Sequence, residues 1–303
     1  MNCGNNDKIR LILGPGRSGT SWLSRVLAKS GTRLRFFNEP LFHIQPKLPF
    51  SNKFDHTALP YCPAIDSTHP LAMAYAGLAL PHIDWAHHLP DGILLRDDKD
   101  FSVCLIKEVH SLLATEALLK YLQSPCLVIT RNPVYVIDSL LAVSGVGAPV
   151  YKNEACYIND KVFLNRYLPG AASRIQGYLD ANDVQSKDIM QVAISKALTV
   201  GVMNRMLEII AEESPCVLHI RYEHLCETPF EIFSRASRFL SLDFDLEMQK
   251  FLSETQSVKE SEKSPYSVFR DTTRQLNRPM KVLSETQRDE ILNILADCGL
   301  LYE

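Results

Sequence analysis

Chemistry is concentrated at Leu11-Ile-Leu-Gly-Pro-Gly-Arg-Ser-Gly-Thr-Ser-Trp-Leu23, where an apolar run meets a loop carrying Gly14, Gly16 and Gly19. Glycine lets successive backbone N–H groups converge on one cavity, and a helix that starts directly after the loop adds partial positive charge. Together they make a cradle for a phosphate-like anion. The spacing from Gly14 to Gly19 matches the phosphate loop GxxxxGK[ST], but Thr20 fills the lysine slot and the cation stands three residues earlier, as Arg17. A nucleoside-triphosphate kinase needs that lysine on the β/γ-phosphates and carboxylates that hold Mg²⁺. A guanidinium fork with the hydroxyls of Thr20 and Ser21 suits instead a terminal group that transfers without a metal.

A second anion site is encoded by Cys126-Leu-Val-Ile-Thr-Arg-Asn-Pro133, continuing to Ser139. Asn132 is a good helix N-cap and Pro133 a good first helical residue. Arg131 then stands at the carboxyl end of a strand, with Ser139 in the second turn of the following helix. Both side chains are placed to reach one phosphate from different directions. A third segment, His219-Ile-Arg-Tyr-Glu-His-Leu225, follows another apolar run.

Group transfer to an acceptor hydroxyl requires a positioned nucleophile, a proton acceptor and positive charge on the leaving oxygen. Glu39, in Phe36-Phe-Asn-Glu-Pro-Leu-Phe-His43, is the first candidate for the base. Its apolar neighbours are expected to raise its pKa toward a useful range. Lys107-Glu-Val-His110 places two further titratable residues at the end of the third apolar run. His82, His87 and His88 match no established ligand spacing, so no metal site is expected.

GPGRSGTSWL resembles the 5′-phosphosulfate loop of sulfotransferases that use 3′-phosphoadenosine 5′-phosphosulfate (PAPS). Cytosolic members carry PKSGTTW there, while carbohydrate and tyrosylprotein members carry RSGT or RSGS, the group that Arg17 follows. The resemblance implies that Arg17, Ser18, Gly19, Thr20, Ser21 and Trp22 bind the donor, and that adenosine 3′,5′-bisphosphate is the product. Arg-Asn-Pro with a serine eight residues after the arginine is similar to the superfamily's 3′-phosphate site, which implies that role for Arg131 and Ser139. His219–Leu225 resembles its RYE-x-L segment, where Tyr222 would face adenine and Arg221 or Glu223 would be structural. Phe269–Arg278 resembles the loop that closes over the nucleotide, with Arg274 and Arg278 as its cofactor candidates. Glu39 falls in a segment resembling the Glu-Pro-Leu element of carbohydrate sulfotransferases. Lys107-Glu-Val-His110 resembles the cytosolic Lys-Thr-His pattern with the histidine one residue late, which implies His110 as the rival base and Lys107 as a bridge to the transferring sulfo group. The resemblance spans about residues 8–42, 103–142 and 215–242, and weakly 269–303.

The elements that position these residues are legible from periodicity. Lys8–Leu13, Leu34–Phe37, Val103–Lys107, Cys126–Thr130 and Cys216–Arg221 are short apolar runs of the kind covered on both faces. Helical patterns at Thr20–Lys29, Leu112–Leu122, Val134–Val143, Gln191–Glu213, Phe230–Leu240 and Glu285–Cys298 alternate with them. The expectation is one α/β domain over residues 1–303: a P-loop-like three-layer fold with a central parallel sheet of about five strands and helices on both faces. Its ligands belong outside the carboxyl ends of the strands. Segments 42–102 and 144–188 break the alternation and are expected to be acceptor-side insertions over that end.

With 35 acidic and 32 basic residues, the net charge of −3 argues against a nucleic-acid partner. No apolar stretch is long enough for a membrane span, and no signal core opens the chain. Eight cysteines without a CxxC pair point to reduced thiols. Taken with these features, the resemblance implies a bacterial cytoplasmic enzyme that sulfates a hydroxyl, or an amine, of a small-molecule or sugar acceptor, with its oligomeric state open. A P-loop nucleotide kinase and a non-catalytic nucleotide-binding relative are the competing readings.

Overall fold

The computed structural model describes residues 7–43, 61–80, 89, 91–145, 154–155, 158–183, 185–256, 275–276 and 279–302. Six strands form one sheet: β1 (Ile9–Leu13), β2 (Leu34–Asn38), β3 (Leu94–Asp97), β4 (Val103–Glu108), β5 (Cys126–Thr130) and β6 (Val217–Arg221), in the order β3-β2-β4-β1-β5-β6. Every neighbouring pair is parallel except β2–β3. The expected five-stranded parallel sheet is therefore extended by an antiparallel edge strand, drawn from within the first predicted insertion. Leu94-Leu-Arg-Asp alternates half-buried with exposed residues, as an edge strand does, and lacks the continuous apolar run that marks the other five.

Side chains alternate across the pleat into two cores. Leu11, Leu13, Ile106, Cys126 and Val128 face one side, and Ile12, Leu105, Leu127, Ile129 and Ile220 the other. The first layer holds α3 (Pro70–Leu78), α4 (Thr115–Leu122), α5 (Pro133–Ser144), α6 (Lys161–Tyr167), α7 (Ala172–Ala181), the long α8 (Ile189–Glu213) and α12 (Glu285–Asp297). On the opposite face lie α1 (Thr20–Leu27), α9 (Tyr222–Glu227), α10 (Pro229–Leu240) and α11 (Leu246–Gln256). A short helix, α2 (Pro40–His43), follows β2. The six cysteines among the described residues, including Cys104 and Cys126 on the central strands, are free thiols.

Register fixes what meets at the carboxyl edge. Leu13 pairs with Glu108 of β4 and Val128 of β5, and Asn38 pairs with Lys107. The loops that leave β1, β2, β4 and β5 therefore emerge side by side. The chain moves to one side of β1 for β2 and β4 and to the other for β5 and β6, which makes β1 the switch point where such sheets bind ligands.

Candidate active site

The β1–α1 loop is shaped by its glycines. Gly19 has φ 98°, and a Cβ there would lie 2.4 Å from Cδ2 of Tyr222. A Cβ on Gly14 would lie 2.4 Å from the carbonyl oxygen of Ile129. Arg17 is itself left-handed at φ 70°, a conformation that costs a non-glycine residue on the order of 1–3 kcal/mol. Ser18 N–H donates to the Pro15 carbonyl at 3.1 Å, which closes the turn. Helix α1 then begins with no acidic residue in its first turn, leaving its N-terminal charge uncancelled.

The second loop leaves the adjacent β5. Asn132 caps α5 by accepting from Val134 N–H at 3.0 Å, with Pro133 as the first helical residue. Because Thr130 pairs with Arg221, the residues that follow them, Arg131 and Tyr222, come together. The Arg131 guanidinium lies 4.2 Å above the Tyr222 ring, and its Nη1 donates to the carbonyl oxygen of Arg17 at 3.2 Å. From the other direction Arg17 Nε and Nη2 donate to Ser139 Oγ at 3.2 and 3.1 Å. Arg17, Arg131 and Ser139, 122 positions apart at the extremes, thus form one cluster.

Two cofactor candidates sit elsewhere than expected. The Trp22 indole is in the core: its Nε1 donates to Thr255 Oγ1 at 2.9 Å and its ring meets Phe233 edge-on at 5.5 Å. Tyr222, expected to face adenine, is buried as a floor shared by Gly19 and Arg131. Thr20 is buried and Ser21 half-buried at the start of α1. Arg274 and Arg278 lie outside the described residues, as do His82, His87 and His88.

The proposed catalytic residues converge. Lys107, 1% exposed, donates from Nζ to Glu39 Oε1, and His110 Nε2 stands 3.8 Å from Glu39 Oε2. Glu39 is held by its backbone as well: φ is 53°, and its N–H donates to the Lys107 carbonyl at 2.7 Å. The expected upward pKa shift is reversed. Burial does push the carboxyl up, but contact with His110 and the charge and hydrogen bond of Lys107 outweigh it and hold Glu39 at about 2. Burial acts in the expected direction, but Lys107, one of the partners that outweigh it, is brought in by β4 from far along the chain.

Other buried polar residues around these elements carry little sequence signal. Glu108, fully buried, accepts from the N–H groups of Leu41, Val109 and His110 at 2.8–3.0 Å, which ties the β2 and β4 exits together. Glu154 and Lys196 are both buried. Burial pushes Glu154 up to about 7 against the opposing influence of His110 and Lys196, and burial brings Lys196 down to about 8 against the pull of Glu154. Lys196 and Asn204, eight residues apart on α8, share a helix face inside an apolar run. That misplaced polarity was the available signal.

The β1–α1 loop fits an anionic group. Among the described residues, the buried Ser18 Oγ of the anion loop has no hydrogen-bond partner, and an oxygen of a bound anion would supply one. Among those same residues there is no group of three or more His, Cys, Asp or Glu that could hold a metal ion, and no helix long and apolar enough to cross a membrane.

No protein-family model and no curated protein sequence matches this chain. Solved structures do. Mouse sulfotransferase SULT7A1 complexed with PAP aligns with 97% of this chain and 84% of its own, at 13% identity and TM-score 0.45. A sulfotransferase from Alicyclobacillus acidocaldarius aligns over 95% and 91%, at 16% identity and TM-score 0.41. The sulfotransferase domain from the curacin biosynthetic pathway aligns over 95% and 97%, at 14% identity and TM-score 0.43.

Proposed function

We propose that the chain is a PAPS-dependent sulfotransferase acting on a hydroxyl, or an amine, of a small-molecule or sugar acceptor. The observation that carries this reading is the joining of two arginine-bearing loops across β1 and β5. Arg131 bonds the Arg17 backbone, and the Arg17 guanidinium reaches Ser139. One ligand with anionic groups at two positions satisfies both. Ser18, Gly19, Thr20 and Ser21 would hold its 5′ end together with Arg17, while Arg131 and Ser139 would hold the 3′-phosphate.

When bound, PAPS supplies an electrophilic sulfo group on a good leaving phosphate. Arg17, the loop N–H groups and the start of α1 stabilise negative charge at that end. Lys107 places a second, buried cation beside the same loop, since it pairs with Ile12 of β1. Glu39 is the proton acceptor in this reading, ionised throughout the neutral range. Its basicity rises when Lys107 shares its charge with another oxygen, so the ion pair keeps the base weak until a ligand is present. His110, beside the second carboxylate oxygen, orients Glu39 toward the acceptor and offers an alternative route for the proton. Glu154, from the second expected insertion, lies within electrostatic reach of His110 and would face the acceptor in this reading. No nucleic acid or membrane enters the scheme.

Incubation with ³⁵S-labelled PAPS and a panel of alcohols, phenols, amines and sugars tests this directly. Labelled sulfo-acceptor that requires Glu39 and Lys107 supports the reading. Labelled phosphate transfer from ATP with Mg²⁺, and no sulfo transfer, would replace it with the kinase.

A further inference from the structure

The peptide unit joining Arg131 to Asn132 is held at both ends by side chains from different layers. Its carbonyl oxygen accepts from Nδ2 of Asn204 on α8 at 2.8 Å. Its N–H donates to Oε1 of Glu223 on α9 at 3.0 Å. Asn204 is 0% exposed, and its Nδ2 also donates to the Tyr302 hydroxyl at 3.3 Å, which in turn donates to the Gly201 carbonyl at 3.4 Å. Flipping the amide would aim Oδ1 at the Arg131 carbonyl, so this orientation is the one that donates. Oδ1 is then left buried without a hydrogen-bond partner among the described residues. Such an atom calls for an explanation, because leucine would fill the same space without it. What leucine cannot do is satisfy the carbonyl of Arg131.

We infer that Asn204 and Glu223 are positioning residues that aim Arg131 at the 3′-phosphate by clamping the two ends of the 131–132 peptide plane. A peptide plane fixed at both ends sets ψ of Arg131 and φ of Asn132, and so the direction in which the arginine side chain leaves the backbone. The guanidinium's stacking on Tyr222 and its bond to the Arg17 carbonyl then complete its placement. Neither positioning residue need touch the ligand. This inference rests on the donor reading given above.

The test compares adenosine 3′,5′-bisphosphate with adenosine 5′-monophosphate, which shares the 5′ end and lacks the 3′-phosphate. Calorimetric titration of the whole chain is expected to show Asn204→Leu weakening the bisphosphate about tenfold while changing the monophosphate less than about twofold. Glu223→Leu should behave in the same way, and Glu223→Gln, which keeps an oxygen for the Asn132 N–H, should restore most of the loss. If Asn204→Leu does not fold, Tyr302→Phe and the Glu223 pair carry the same comparison. Equal weakening of both nucleotides, or no weakening of either, overturns the clamp. A wild-type chain that binds neither nucleotide overturns the donor reading instead. The clamp is then decided by crystal structures of the ligand-free wild type and the Glu223→Leu and Asn204→Leu variants, where an Arg131 guanidinium unmoved from Tyr222 refutes it.

Discussion

Glu39 offers a quantitative test of the site's electrostatics. Its carboxyl is held at about 2 in the fold, against 4.5 ordinarily, so the folded state gains stability from its ionisation. With a depressed folded pKa, that contribution is complete above the ordinary value and is lost as pH falls through the folded one. The full difference corresponds to about 3 kcal/mol at neutral pH, and by pH 3 about 2 kcal/mol of it is gone. Glu39→Gln removes the titration. Urea denaturation at several pH values from 7 to 3 is expected to show wild type losing about 2 kcal/mol more than Glu39→Gln across that range. Comparing the change with pH, rather than absolute stability, removes any constant cost of leaving Lys107 beside an amide. Parallel curves for the two proteins would show that Lys107 and His110 do not hold the carboxyl down.

Gly19→Ala must place a Cβ against Tyr222 at positive φ, so thermal denaturation should show a loss of at least about 2 kcal/mol, and nucleotide binding should fail even in folded protein. Arg131→Ala is expected to weaken adenosine 3′,5′-bisphosphate by about 10- to 100-fold in calorimetry, and Ser139→Ala by less, because only the first removes a charged donor. Glu154 has the opposite sign from Glu39. Its carboxyl is raised to about 7 by burial, so wild type should lose stability as pH rises from 4.5 through 7, a slope that Glu154→Gln flattens in the same denaturation series. Lys107→Met should lower kcat for sulfo transfer far more than it raises the KM for the donor, measured by steady-state kinetics.

The parts of the site that could be read in advance are those where the backbone itself imposes residue types. Gly14 and Gly19 sit where a Cβ has no room, and Asn132-Pro133 form a cap followed by a first helical residue, so both anion loops are written locally. Five strands were legible because burial on both faces demands unbroken apolar runs. The edge strand Leu94–Asp97 needs no such run and so carries no comparable signal. Tertiary partners were the main loss. Nothing near Glu39 in the chain points to Lys107, which is brought to it by the pairing of β2 with β4. The family resemblance implies ligand contacts for Trp22 and Tyr222, yet large aromatics so placed also fill the space beneath the loops. Asn204, Lys196 and Glu154 lie far from any motif, and only polar residues inside the apolar face of α8 hinted at two of them.

The most direct test of the two-arginine cleft is titration of the purified chain with adenosine 3′,5′-bisphosphate in the presence of EDTA. Saturable one-to-one binding, sharply weakened by Arg17→Ala as well as by Arg131→Ala, is the predicted result. Absence of binding by a folded wild-type chain, or affinity indifferent to both substitutions, would contradict the account.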